Sequence, residues 1–271
     1  FSVVVWRWRH WGDRQLIVAA LAIFGLQALM FGSIYFLPDA QWKEISSLQD
    51  GEALIAADTE QYLQNWWQQA PQRISGALGM QMLTIFGGWF PCVLMLCGMV
   101  LARRGYFSAQ PPRNAGRLLW LSLVVGLILT GLTLMANRAQ GFDSQYALTL
   151  GMQLQMLASA FMAIGYALLI SWWSRSHLLP VLRRVLIAVG RMALSIYILQ
   201  TLIFTGLFYG YGLGCYGQFS LSQLLLLILI VWLLLCAFAL LWLRYCYLGP
   251  LEWLWRRLVY QRPLELIRRP G

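Results

Sequence analysis

The sequence predicts an all-α fold, a polytopic transmembrane helical bundle of six spanning helices with both termini in the cytoplasm. Three observations predict it. Of 271 residues, 60% are hydrophobic and only 11% are charged, against about 25% charged in a typical soluble domain. Several stretches of roughly 20 residues carry no charge, the length a helix needs to cross a bilayer. The basic residues fall almost wholly between alternate pairs of those stretches. A soluble domain of this size could not bury so much apolar surface, so the lipid bilayer is the partner the composition requires. The net charge of +10 then reads as a topology signal. The arginines flank apolar runs instead of forming one polar face, which argues against a nucleic-acid partner.

The spans fall at about 16–37, 79–102, 118–136, 147–173, 185–211 and 222–243. The last two come from one uncharged run between Met192 and Leu243, too long for a single crossing. Gly210, Gly212, Gly214 and Gly217, followed by Gln218, Ser220 and Ser222, mark the turn that divides it. Each span is continuously apolar and lacks the alternation of a barrel strand, so helices are expected. Around them lie a short link (1–15), an outer loop (38–77) and a basic cytoplasmic tail (244–271). Phe1–Trp6 is apolar and reads as the inner end of an upstream helix, so further helices of the same protein are expected partners.

Orientation follows from charge. Of the 20 Lys and Arg residues, 17 fall on one side, and only Lys43, Arg73 and Arg138 on the other. The sparse side instead holds Asp39, Glu44, Asp50, Glu52, Asp58, Glu60 and Asp143. The side rich in arginine is therefore cytoplasmic. Tyr35, Trp172, Trp173, Tyr209, Tyr211, Trp242, Tyr245 and Tyr247 gather at the expected boundaries, where amphipathic rings suit the headgroup layer. Within the outer loop, 58–69 reads as a helix that Asp58 could cap.

Few residues carry chemistry. Five cysteines without a CxxC pair, and two histidines, leave almost no raw material for a zinc site, and no metal is expected. His10 and His177 sit in basic links without a nucleophile–base pattern. Arg191 opens an otherwise uncharged span. It either contacts an anion, such as a lipid phosphate or the phosphate of a CoA-type molecule, or snorkels to headgroups and marks the helix start. Gln153, Gln155, Gln81 and Gln200 lie at membrane depth, where each needs a partner. They serve as glue between helices or line a polar cavity. Arg191 and Ser195 lie four residues apart on one expected helix face, with Gln200 nearby. Arg73 is an outer anion contact or a solvated loop arginine. Beyond Gly249–Pro250, an amphipathic helix begins with Glu252 in its first turn. Trp253 and Trp255 are placed to dip into the headgroup layer and Arg256 and Arg257 to meet anionic lipid, an anchor at the membrane surface. A salt bridge from Glu252 to Arg191 is the alternative for that acid.

Several stretches carry a resemblance: VGRMALSIYILQT (189–201) continuing into LFYGYG (207–212), WLR (242–244) with GPLEWLWRR (249–257), FMAIGYA (161–167), and GGWFPCVLMLCGMVLARRGYF (87–107). Their order and spacing resemble the C-terminal part of the YeiB family of bacterial inner-membrane proteins, whose biochemistry is little known. The resemblance implies a multi-pass inner (plasma) membrane protein with more helices upstream. It also implies distant kinship with transmembrane acyltransferases, for which acyl-CoA would be the donor. The histidine motif of that kinship belongs to the N-terminal half, so residues 1–271 alone are expected to be inactive, and no cofactor is expected within them. A transporter or exporter of a small or lipidic solute is the alternative.

Overall fold

The computed structural model describes residues 6–36, 38, 42 and 58–261. Most of Phe1–Trp6, the outer loop before 58 apart from residues 38 and 42, and Arg262, Arg268 and Arg269 of the tail lie outside the described residues. After a short turn at Trp8–His10, nine helices are used below: α1 Asp13–Ile34, α2 Trp66–Gly87, α3 Phe90–Arg103, α4 Ala115–Ala139, α5 Met152–Arg175, α6 Pro180–Arg191, α7 Ala193–Phe208, α8 Leu221–Tyr245 and α9 Pro250–Tyr260. No strand occurs among the described residues.

Among the described residues, four helical stretches are long and apolar enough to cross a membrane: α1, α4, the continuous Ser144–Arg175 and α8. The pair α6 and α7 makes a fifth if it is taken as one span, but it bends by 83°. Two expected spans therefore differ from the sequence reading. The stretch 79–102 is interrupted where α2 ends at Gly87 and α3 begins at Phe90 with Pro91 in its first turn. Paired glycines followed by proline end one helix and start another. The stretch 185–211 is not one rod, because it breaks at Met192 (φ −118°, ψ 25°). Gly190 weakens the helix there and Arg191 favours the headgroup level over the apolar layer. The helix expected over 58–69 is also divided. It is helical at 58–62, and a new helix starts at Trp66.

The glycine-rich turn falls where expected. Ser220 caps α8 in a box with Gln223, whose Oε1 accepts from Ser220 N–H at 2.8 Å. Along α8, Leu225, Leu226, Leu229, Leu233, Leu234 and Leu241 are more than half exposed. A helix with that surface, and no charge before Arg244 in its last turn, suits hydrocarbon and not water.

The chain forms two compact units, Phe1–Asp50 with Ile74–Ser176 and Gly51–Arg73 with His177–Gly271. In the first, α1 packs on α3 around Leu16, Ala20, Cys92, Val93, Leu96 and Val100. Helices α4 and α5 approach at two glycines: a Cβ at Gly126 would lie 2.7 Å from the Met162 side chain, and one at Gly165 2.5 Å from Leu123. Small residues at such crossings let helix backbones come close where lipid removes the hydrophobic driving force. Ser122 and Thr133, both buried, donate to carbonyls three or four residues back in their own helix. In the second unit, Ala188, Met192, Ile196, Val231, Leu235, Ala239 and Leu243 make the core between α6, α7 and α8.

Candidate functional site

The break at Met192 creates a helix N-terminus inside the second unit. The first N–H groups of α7 have no partner within their own helix, and Met192 is fully buried there. The answer comes from 57 residues further on. Ser195 N–H donates to Glu252 Oε1 at 3.0 Å. The Ser195 hydroxyl donates to Glu252 Oε2 and accepts from Leu251 N–H at 3.1 Å. Glu252 stands in the first turn of α9 as well. One carboxylate thus faces the positive ends of two helix dipoles.

The chain folds this way because of a glycine. A Cβ at Gly249 would fall 2.0 Å from Glu252 Oε2 and 2.8 Å from Ser195 Oγ. Pro250 then starts α9 where its missing N–H costs nothing. Two further bonds fix the turn between α8 and α9. Trp242 Nε1–H donates to Leu248 O at 3.0 Å, and Arg191 Nη2–H donates to Tyr247 O. No carboxylate of the described residues lies in ion-pair range of Arg191; the ion pairs found among them are Asp13 with Arg103 and Arg104. Glu252 therefore caps α7 instead of pairing with Arg191.

Beside this joint lies a pocket of about 720 Å³ bounded by Arg191, Leu194, Leu248, Glu252, Trp255 and Arg256. Two guanidinium groups and the Glu252 carboxylate, which is engaged by Ser195, border a hollow whose remaining walls are apolar. The chemistry suits an anion carried on an apolar body, since arginine binds phosphate through several directed N–H donors. The Ser195–Glu252 pair is a cap and not a nucleophile–base pair. Both carboxylate oxygens are engaged, no histidine takes part, and Ser195 is buried.

The other residues singled out in the sequence separate into different places. Gln153 Nε2–H donates to Ala28 O at 2.8 Å and ties α5 to α1. Gln155 and Gln200 are exposed on the surfaces of α5 and α7. The bend at Met192 takes Arg191 off the α7 face that would have carried Ser195 and Gln200. On α9, Trp255 is exposed, and the Arg257 guanidinium sits 5.2 Å from the Trp253 ring centre. Among the described residues no group of three or more His, Cys, Asp or Glu side chains could hold a metal ion.

Arg73 belongs to a second cluster that the sequence does not announce. Its Nη2 donates to Gln69 Oε1 at 2.9 Å and to the Tyr211 hydroxyl at 3.3 Å. Its guanidinium lies 4.8 Å from the Tyr209 ring centre, a cation–π contact. Tyr62 stacks on Tyr209 at 5.2 Å and meets Tyr216 at 4.9 Å. Gln69, fully buried, donates to Tyr62 O and Gln64 O. Burial first, then the charge of Asp58 and the neighbours Tyr62 and Tyr209, pushes the Tyr216 phenol above its ordinary range, so it stays neutral at physiological pH. This cluster pins residues 58–73 to the turn after α7. The scattered Tyr62, Gln69, Arg73 and Tyr209 gave no periodic signal by which the sequence could reveal it.

The family model described as "Protein of unknown function (DUF418)" matches residues 101–262. The chain is 36% identical over 173 residues to the uncharacterized protein YeiB of Escherichia coli (strain K12), which covers 63% of this chain and 44% of that protein. It is 28% identical over 189 residues to the uncharacterized protein YxaH of Bacillus subtilis (strain 168), covering 69% and 44%. It is 26% identical over 266 residues to an uncharacterized 39.9 kDa protein in the amylase 3' region of Bacillus acidopullulyticus, covering 89% and 71%. The chain thus spans less than half the length of the first two relatives. No solved structure matches it. The matched residues include both segments of the capped joint, Gly190–Ser195 and Gly249–Arg257. The chain therefore belongs to the DUF418 family, and its C-terminal part is a YeiB-family domain of a membrane protein of unknown function.

Proposed function

We propose that the chain is part of a multi-pass inner-membrane protein that transfers acyl groups, and that the pocket at the α6–α7 joint receives a phosphate-bearing acyl donor of the acyl-CoA type from the cytoplasm. In this reading α1, α4, α5, the α6–α7 pair and α8 span the bilayer, and α3 with the end of α2 supplies a sixth crossing. Both termini and the joint face the cytoplasm. The observation that carries the reading is the pairing of Arg191 and Arg256 with Leu194, Leu248 and Trp255 around one pocket. Phosphates need the guanidinium groups, and a pantetheine or acyl chain needs the apolar wall. Helix α9 lies along the inner surface as an anchor, with the exposed Leu254 and Leu258 turned to lipid and Arg257 near anionic headgroups. The reacting histidine belongs to other parts of the full protein, so these residues bind and orient and do not perform the transfer themselves.

The test is mass spectrometry of cellular lipids and glycans with the full-length gene deleted, restored, or restored as Arg191→Ala. An acylated product should vanish on deletion and return with the wild type. With Arg191→Ala it should return about tenfold less, the loss expected for one charge-assisted hydrogen-bonding group. Unchanged acylation together with altered solute uptake or efflux would replace acyl transfer by transport.

A further inference from the structure

A second apolar hollow lies in the first unit. It is a slot of about 200 Å³ between α1, α3 and α5. Its walls come from positions 17, 20, 21 and 24 of α1, 93, 96, 97 and 100 of α3, and 157, 160, 161 and 164 of α5. Each set follows the three- and four-residue spacing of a single helix face. The walls therefore form three parallel stripes with no charged side chain.

Two of the stripes can be followed past the end of the slot. On α1, the positions three and four residues before Ile17 are Arg14 and Asp13. On α3, those three and four residues after Val100 are Arg103 and Arg104. Because α1 and α3 run in opposite directions, both charged pairs arrive at the same end. Asp13 bridges them, with Arg104 Nε at 3.0 Å and Arg103 Nη1 at 3.7 Å. Arg103 is further held by the carbonyls of Trp11 and Arg9. Arg104 is half-exposed and uses only Nε in the bond to Asp13. Its two terminal amino groups have no hydrogen-bond partner among the described residues. Three arginines against one aspartate leave the mouth of the slot positive.

We propose that this slot binds one acyl chain of an anionic phospholipid, with the lipid phosphate held at the mouth by Arg104 and Arg14. The charge of the mouth selects the occupant. A zwitterionic lipid gains the apolar contact but little from the net positive mouth, whereas an anionic headgroup gains both. Basic pockets between membrane helices hold anionic headgroups for this reason. The site is separate from the Arg191 pocket, and its failure would leave the reading of that pocket untouched.

The experiment is native mass spectrometry of the purified chain in detergent, titrated with phosphatidylglycerol or phosphatidylcholine. One phosphatidylglycerol should remain bound where phosphatidylcholine is stripped. Arg104→Gln and Arg14→Gln should each weaken phosphatidylglycerol binding about fivefold and leave phosphatidylcholine unchanged. Ala160→Trp, which fills the slot, should abolish the retained lipid. Millimolar inorganic phosphate should not displace it, because the chain and the headgroup bind together. Equal retention of the two lipids, or retention unaffected by the arginine variants, would overturn the proposal. Displacement by phosphate would reduce the site to a headgroup contact and overturn it as well.

Discussion

Glu252→Ala is expected to destabilise the second unit by about 2–4 kcal/mol, because it strips a charged cap from a buried helix N-terminus. The loss has three parts. Ser195 N–H is left without its acceptor. The Ser195 hydroxyl keeps only its bond from Leu251 N–H. The dipole of α7 no longer faces a negative charge. Glu252→Gln should recover part of the loss, since an amide oxygen still accepts one N–H but brings no charge. Gly249→Ala should act in the same direction, because its Cβ would occupy the place of Glu252 Oε2. Thermal unfolding in detergent, followed by tryptophan fluorescence, checks the order wild type, Gln, Ala. Equal melting of all three would mean that the carboxylate contributes nothing to the joint.

Gly210→Ala is expected to have an effect at least as large, above about 3 kcal/mol, through steric exclusion. Gly210 N–H donates to Tyr62 O at 2.9 Å. An added Cβ would fall 1.8 Å from Leu63 O. A backbone carbonyl cannot rotate away as a side chain can, so residues 62–63 must leave the turn. The stack of Tyr62 on Tyr209 and the packing around Arg73 leave with them. Gly206→Ala is the control, since nothing lies within 4 Å of its added Cβ, and alanine favours the helix. Hydrogen exchange should show residues 58–73 opening in Gly210→Ala and protected in Gly206→Ala. Protection in both variants would contradict the pin.

Sequence and structure agree where a signal is local and repeated. The helices near 16–37, 118–136, 147–173 and 222–243 stand out as uncharged runs, and the glycines between Gly210 and Gly217 mark the turn before α8. The break at Met192 was harder to see. Its components, Gly190 and Arg191, were visible, but the acid that stabilises it lies 57 residues away, and no local pattern joins them. The two segments around Gly190–Ser195 and Gly249–Arg257 stand in the sequence as separate motifs. The structure gives the physical reason they occur together, because Glu252 of one closes the helix that begins in the other. From the sequence, Arg73 is an outer anion contact or a solvated loop arginine. Its partners Gln69, Tyr209 and Tyr211 meet it only after the chain has folded, and tyrosines at a boundary otherwise read as interfacial anchors.

The orientation of the chain decides what its pocket can meet. If the arginine-rich side is cytoplasmic, then the Arg191 pocket can meet an acyl donor and α9 can lie on the inner leaflet. Reporter fusions that are active on only one side of the membrane, placed at positions 55 and 265, test this directly. Position 55 should report outside and position 265 the cytoplasm. A cytoplasmic signal at position 55 would contradict the charge-based topology, and with it the placement of the pocket on the donor side.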